Sequence, residues 1–348
     1  MPLNCSIVLE RKAQEYILNN IANATSLNRK QLLDKIRSFS YNIDKPLTLR
    51  NFTEENNIPL AAIYKKGCWK RLCAEAGVIP DFSSDNEIEL ARAVSKKWLL
   101  CNSISYLQFI ARLADKKFAV NIETLNENEQ IMCLMLHYDI WQNPKGFENL
   151  SMSIKSIGRY EILVTEIKEV LEILIDKIDF IEKEIQLDYA LPLKIHSRYT
   201  RDQICCAFGE NTFDAKSSSR EGVINIKNRN TELLFITLEK SEKEYSPTTL
   251  YDDYAVSDTL FHWQSQNSAR PEKGAGLSYV QQKDTNKKIL LFVREKNNDE
   301  FGNTMGYVFL GDANYVNHYS EKPMSITWEL NEPLPSYMWK DSAKMAAS

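Results

Sequence analysis

The hydrophobic period of this 348-residue chain changes once, and that change limits what the chain can fold into. From residue 9 to about residue 187, apolar residues recur every three or four positions, which places them on one face of a helix. Residues 200–208 read as one further helix capped by Thr200, and beyond them the spacing falls to two, the mark of strands. Strand-like runs lie at 222–226, 233–238, 277–282, 289–293, 307–310 and 324–330, each bounded by Gly, Asn, Asp or Pro. The pattern predicts an α+β protein: an all-helical N-terminal half, then a small, mixed, mostly antiparallel β-barrel.

Three regions follow from this reading. Residues 1–85 are helical and resemble a helix-turn-helix: one helix capped by Thr48, a turn at Asn56-Asn57, a second helix from Pro59, and a third from Lys65 that stops at Gly77. Residues 86–190 form a helical bundle or spacer, with a long helix predicted over 161–187. Its seam runs through Ile167, Leu171, Leu174, Ile178, Ile181 and Ile185. Leu191-Pro192 ends that region, and the barrel occupies 191–348.

Charge narrows the partners. The formal net charge is −4, so no global field draws the chain to nucleic acid, and any such contact must come from local patches. Ser26 to Glu75 carries ten Lys/Arg against five Asp/Glu, whereas His196 to Ser348 carries eighteen against twenty-one. In the helix-turn-helix-like region, Lys65, Lys66, Lys70 and Arg71 either lie along phosphates or form the solvated face of a bundle.

The seven cysteines lack the paired spacing of a zinc site and read as small buried hydrophobes of a reducing, cytoplasmic compartment, with no metal. No apolar run approaches the roughly eighteen residues of a membrane span, and the N-terminus lacks the basic start and apolar run of a signal peptide. No membrane partner is expected.

The segment 245–268 concentrates aromatics, carboxylates and side-chain amides. That mixture suits a pocket gripping one planar, hydrogen-bonding ligand. Tyr251, Tyr254, Phe261 and Trp263 are candidate stacking groups, each alternatively a core residue. Asp252 and Asp253 are candidate acceptors, and His262, Gln264, Ser265 and Gln266 are candidates for the remaining polar edge of the ligand.

This segment also carries a resemblance. Together with Arg220-Glu-Gly-Val-Ile-Asn-Ile226, Lys288-Ile-Leu-Leu-Phe-Val-Arg-Glu295, Tyr307-Val-Phe-Leu-Gly311 and Pro323-Met-Ser-Ile-Thr-Trp-Glu-Leu330, it resembles the C-terminal domain that follows a superfamily 2 helicase in SauUSI-type modification-dependent (type IV) restriction enzymes. The resemblance is specific from about residue 196 to 343 and looser before that. It implies an SRA/PUA-like domain that flips 5-methylcytosine or 5-hydroxymethylcytosine out of double-stranded DNA into an aromatic pocket, where a carboxylate accepts from the cytosine amino group. It also implies that the chain, entering abruptly at Ile7-Val-Leu-Glu-Arg-Lys12, is the C-terminal part of a longer polypeptide. The helicase and nuclease domains of that polypeptide would use ATP and Mg.

On that reading Arg198, Arg201, Arg220, Lys227, Arg270, Lys273, Lys283 and Lys287 are candidates for the phosphates around a flipped nucleotide, or solvated charges. Residues 270–276 read as a glycine-rich loop suited to a finger filling the vacated stack. No P-loop, His-x-Lys or Gly-x-Ser-x-Gly motif is present, so no catalysis or cofactor is expected of this chain alone. A Gln-x-Lys at Gln281–Lys283, on an expected strand, is the one trace of a metal-nuclease signature. The alternative from another class is a structural module that couples helicase and nuclease without a base pocket.

Overall fold

The computed structural model describes residues 28–41, 47–67, 69–78, 90–91, 94, 98, 100–142, 146–238, 253–300 and 302–338. The chain divides into two compact units, residues 1–90 and 91–348.

The first unit holds four described helices: α1 (Arg29–Ser40), α2 (Leu49–Asn56), α3 (Leu60–Lys66) and α4 (Trp69–Ala76). Their ends are written in local chemistry. Asn28 and Gln31 cap α1 reciprocally, and the Thr48 hydroxyl accepts from Asn51 N at 3.0 Å to start α2. Asn57 turns left-handed at φ 49° to end α2, and Pro59 leads into α3. The third helix starts at Trp69 rather than Lys65, because Gly67, at φ 142°, interrupts the chain after α3. Leu32, Ile36, Phe52, Ile63, Trp69 and Leu72 form the core. Arg29 ties α1 to α4 through Glu75 at 2.9 Å and also donates to Lys66 O. Hydrogen bonds from Arg29 hold the Glu75 carboxyl below its ordinary pKa.

The second unit opens with α5 (Ile104–Asp115), a 3-10 turn at Ile122–Thr124, α6 (Glu127–Ile140), α7 (Leu150–Ile157) and α8 (Glu161–Asp176). The helix predicted over 161–187 ends at Asp176. Leu163, Ile167, Leu171 and Leu174 form its buried face, whereas Ile181, expected in the same seam, lies beyond the helix and is 82% exposed. The apolar spacing continued where the helix did not, because residues 181–187 run irregularly and Lys183 bridges to Ile195 instead.

Asp139 near the end of α6 joins the helices to the sheet region. Its Oδ2 accepts from Trp98 Nε1 at 3.0 Å, the Tyr106 hydroxyl at 2.8 Å and Gln203 Nε2 at 2.9 Å. Gln203 belongs to α9 (Arg201–Ala207), which carries the predicted Thr200 cap.

The sheet has eight strands: β1 (Arg198–Tyr199), β2 (Val223–Ile226), β3 (Thr231–Thr237), β4 (Tyr254–Ala255), β5 (Leu260–Gln264), β6 (Lys288–Arg294), β7 (Tyr307–Tyr319) and β8 (Ser325–Leu330). Their order is β2-β3-β6-β7-β8-β5-β4, with β1 beside β7; β3 and β6 run parallel and the other pairs antiparallel. The fold is therefore α+β with a mixed, mostly antiparallel sheet, but the expected barrel is not closed. The edges are the four-residue β2 and the two-residue β4, and no ladder joins them among the described residues.

The thirteen-residue β7 is the spine, pairing with β6 through Ala313 and with β8 from Ala313 onward. Gly311 sits at its bulge with φ 84°, and a Cβ there would meet Ile195 Cδ1 at 2.9 Å. Residues 277–282, expected as a strand, instead form most of α10 (Gly274–Val280) and the turn after it. A short apolar run does not by itself distinguish helix from strand. The Gln281–Lys283 trace thus lies on a turn. The expected finger at 270–276 closes on itself: Lys273 bridges back to Arg270, and a Cβ on Gly276 would fall 2.1 Å from Arg270 O.

The five described cysteines, Cys73, Cys101, Cys133, Cys205 and Cys206, are buried and unbridged. Among the described residues no group of His, Cys, Asp and Glu could hold a metal ion, and no helix is long and apolar enough to cross a membrane.

Candidate functional site

A cavity of about 440 Å³ opens between α9 and the curled sheet. Trp263 and Gln264 of β5, followed by Ser265 and Gln266, line one side with Asp253. Phe235 and Thr237 of β3, Arg294 of β6 and Tyr307 of β7 line the other. Arg201, Arg220, Glu221, Gly222 and Val223 complete the wall. Strands β3 and β5 are far apart in sheet order, so the curl of the sheet makes the cavity. Its size falls within the roughly 300–1,000 Å³ of small-ligand sites.

The polar groups are held in place. Asp253 is buried, and its Oδ1 accepts from Gln264 N at 2.9 Å. Ser265 exchanges bonds with Met324: its N donates to Met324 O, and its hydroxyl accepts from Met324 N, both at 2.9 Å. Arg201 lies over the Phe235 ring, 4.1 Å from its centroid, and donates to Glu221 O at 2.6 Å. Arg294 lies over Tyr307 at 4.5 Å, and its Nε donates to Thr237 Oγ1 at 3.0 Å. Phe235 and Tyr307 meet edge to face at 5.1 Å. The result is a wall of two aromatic rings, each covered by a guanidinium, facing a buried carboxylate. That chemistry fits a planar polar ring attached to an anion.

Residues 193–342 match the protein family described as "Domain of unknown function (DUF3427)". A DUF3427 domain is thus found at residues 193–342, a little under half of the chain. No curated protein matches the chain. The DUF3427 region contains all eight strands and the whole of the cavity.

The cavity takes five of the ten pocket residues expected from the sequence: Asp253, Trp263, Gln264, Ser265 and Gln266. Tyr251 and Asp252 lie outside the described residues. Phe261 is 1% exposed within the core and does not line the cavity. His262 and Tyr254 do not line it either. They stack on one another, ring centroids 4.6 Å apart, and the Tyr319 hydroxyl meets His262 Nε2 at 3.0 Å. Trp263 has two roles. It lines the cavity while packing against Tyr279 and Trp328 in the core, so residues 260–264, outside the strand-like runs expected from the sequence, form an interior strand.

Of the cations expected near phosphate, Arg201 and Arg220 line the cavity. Arg198 does not; its guanidinium is engaged by Glu295 at 2.6 and 2.9 Å and by Gly306 O at 2.9 Å. Burial pushes the Glu295 carboxyl up in pKa, and the hydrogen bonds and charge of Arg198 outweigh it, leaving the pKa below the ordinary value. Lys287 is buried in an ion pair with Glu232, not on the surface. Arg270 is half-buried beside Gly276, whereas Lys273, Lys283 and Lys227 are exposed and away from the cavity. In the first unit Lys65 is exposed, Lys66 half-buried, and Arg71 pairs with Glu75 at 3.2 Å; the side chain of Lys70 lies outside what is described.

Sequence reasoning missed Phe235, Thr237, Arg294 and Tyr307. The available signal was a cation closing an apolar run, Ile289-Leu-Leu-Phe-Val-Arg294, which is unusual for a fully buried strand.

Proposed function

We propose that this chain is a DNA-recognition region whose cavity receives a cytosine flipped out of the duplex and modified at its 5 position. The observation that carries this reading is the convergence of Trp263, Asp253 and Gln266 with Arg201, Arg220 and Arg294 on one cavity of nucleobase size. Extruding a base costs a few kcal/mol, which contacts inside the pocket must offset. Trp263 lines the cavity, and the Arg201 guanidinium over Phe235 extends a flat wall against which a base can lie. Asp253, fixed by Gln264 N, is positioned to accept from the exocyclic amine of cytosine. Arg220, exposed at the cavity, is placed to meet the flanking phosphate.

The DUF3427 match covers nearly the same residues, 193–342, as the resemblance on which the base-reading proposal draws. On the same proposal the partners are double-stranded DNA carrying modified cytosine, and the helicase and nuclease domains of one polypeptide. This region itself contributes no catalysis.

A second reading, a coupling module without a base pocket, draws support from the burial of Phe261, His262 and Trp263, which gives the aromatic cluster a structural role without any ligand. Anisotropy titration of the chain with duplexes differing by one 5-methyl group separates the two. Base reading predicts tighter binding to the methylated duplex by roughly 1–3 kcal/mol, and equal or absent binding at fixed salt favours the coupling module.

A further inference from the structure

Strand β3 is buried at every position, yet it contains Glu232, 2% exposed. A lone buried carboxylate would be strongly destabilising, and two groups compensate it. Lys287 Nζ engages Oε2, and the Tyr279 hydroxyl donates to Oε1 at 2.7 Å. Lys287 also donates to Ser278 Oγ at 2.9 Å. The chain continues toward the cavity, because the end of the Gln266 amide placed as Oε1 lies 3.2 Å from the same Tyr279 hydroxyl oxygen, and Gln266 lines the wall.

The donor inventory fixes the direction of that last contact. A tyrosine hydroxyl has one proton and an ionised carboxylate has none, so the Tyr279 proton goes to Glu232. Burial and the charge of Glu232 push the Tyr279 pKa up, which keeps the hydroxyl protonated. Gln266 must therefore act as the donor, N–H to hydroxyl oxygen. The oxygen and nitrogen of an amide occupy interchangeable positions, and the hydrogen-bond network selects between them. With its nitrogen committed to Tyr279, Gln266 turns its carbonyl oxygen away from the relay.

We propose that Gln266 is a specificity-determining residue that presents its amide oxygen to the ligand, and that Tyr279, Glu232 and Lys287 are positioning residues that lock this orientation. The inference rests on the base-reading proposal and deepens it. Asp253 and the Gln266 oxygen are both acceptors, so the cavity demands a donor on the base edge. The 4-amino group of 5-methylcytosine supplies one. Thymine carries the same methyl group but an acceptor oxygen at position 4 and a single edge donor, N3–H, so a Gln266 oxygen set against position 4 meets an acceptor instead of the amine.

The test uses the full chain and duplexes with 5-methylcytosine, cytosine or thymine opposite one guanine. Wild-type protein is expected to bind the methylcytosine duplex about tenfold or more tighter than the thymine duplex. Tyr279→Phe keeps the ring but frees the amide, and Gln266→Leu removes it. Both should shrink the methylcytosine-to-thymine ratio several-fold, and Tyr279→Phe, which leaves the cavity-lining residues unchanged, should retain the methylcytosine-to-cytosine preference. An unchanged thymine ratio in both variants overturns the proposal.

A ligand-free measurement guards against failure of the base reading itself. The Gln266 side-chain amide protons, assigned by NMR from their loss in Gln266→Leu, should exchange slowly in wild type and at solvent-exposed rates in Tyr279→Phe. Fast exchange in wild type overturns the lock. If the wild-type chain binds methylcytosine and cytosine equally, the base-reading proposal fails, and the lock stands or falls on this exchange alone.

Discussion

The guanidinium of Arg201 lies 4.1 Å from the centroid of the Phe235 ring, joining the first turn of α9 to strand β3 across the mouth of the cavity. The stack places a permanent positive charge on an apolar surface, and the donation to Glu221 O at 2.6 Å fixes its rotation. Arg294 over Tyr307 repeats the arrangement on the neighbouring strands β6 and β7.

Arg201→Gln removes the charge and the planar fork. The expected outcome is weaker binding to methylated and unmethylated duplex alike, and a slope of log affinity against log salt shallower by about one if Arg201 neutralises a phosphate. Anisotropy titrations between low and moderate salt read the slope. An unchanged slope places Arg201 against the base or makes it purely structural.

Trp263 is 5% exposed and packs on Tyr279 and Trp328. Trp263→Ala is therefore expected to destabilise the fold by about 3–5 kcal/mol, as for other large-to-small core changes. Urea denaturation measures it. The sparing probe of the site is Asp253→Asn, which keeps the shape and an acceptor for Gln264 N while removing the charge. It should reduce the preference for methylated DNA with little change in the denaturation midpoint.

The Lys287–Glu232 pair has side chains 8% and 3% exposed. Lys287→Met leaves the carboxylate buried against Tyr279 alone and is expected to cost about 3–5 kcal/mol. Replacing both, Lys287→Met with Glu232→Leu, should recover most of that loss. Additive losses in a double-mutant cycle by urea denaturation would count against a coupled buried pair.

The Arg198–Glu295 pair makes stability depend on pH. The folded-state pKa of Glu295 lies below its ordinary value, so its contribution is present above the ordinary carboxylate range and is lost as pH falls through the folded-state pKa. Arg198→Met is expected to lower stability by roughly 1.5–3 kcal/mol at neutral pH. Its penalty should shrink as Glu295 protonates in both proteins. Denaturation midpoints of the two proteins from neutral pH downward should converge; parallel curves would exclude the linkage.

Much of the local structure was legible because its causes are local. Thr48 and Thr200 cap helices where a hydroxyl before an apolar-periodic run predicts it, and the shift from helical to alternating spacing near residue 208 marks the onset of the main sheet. Asp253, Trp263, Gln264, Ser265 and Gln266 stood out as a group because aromatics and amides rarely crowd so closely, and they do meet in one cavity.

Other features depended on contacts between residues far apart in the chain. The apolar run at 277–282 became helix, since α10 packs against the sheet and no strand offers residues 277–282 a ladder. Arg198 and Lys287 looked like surface cations until the sheet brought Glu295 and Glu232 to them from 97 and 55 residues away. Phe235, Arg294 and Tyr307 read as ordinary strand residues, and only the curl of an open sheet, which swings β3 and β5 toward each other, turns them into the far wall of the site. Local spacing determines which face of an element is apolar; which element meets that face is a property of the assembled sheet, whose register and curl are set by all of its strands together.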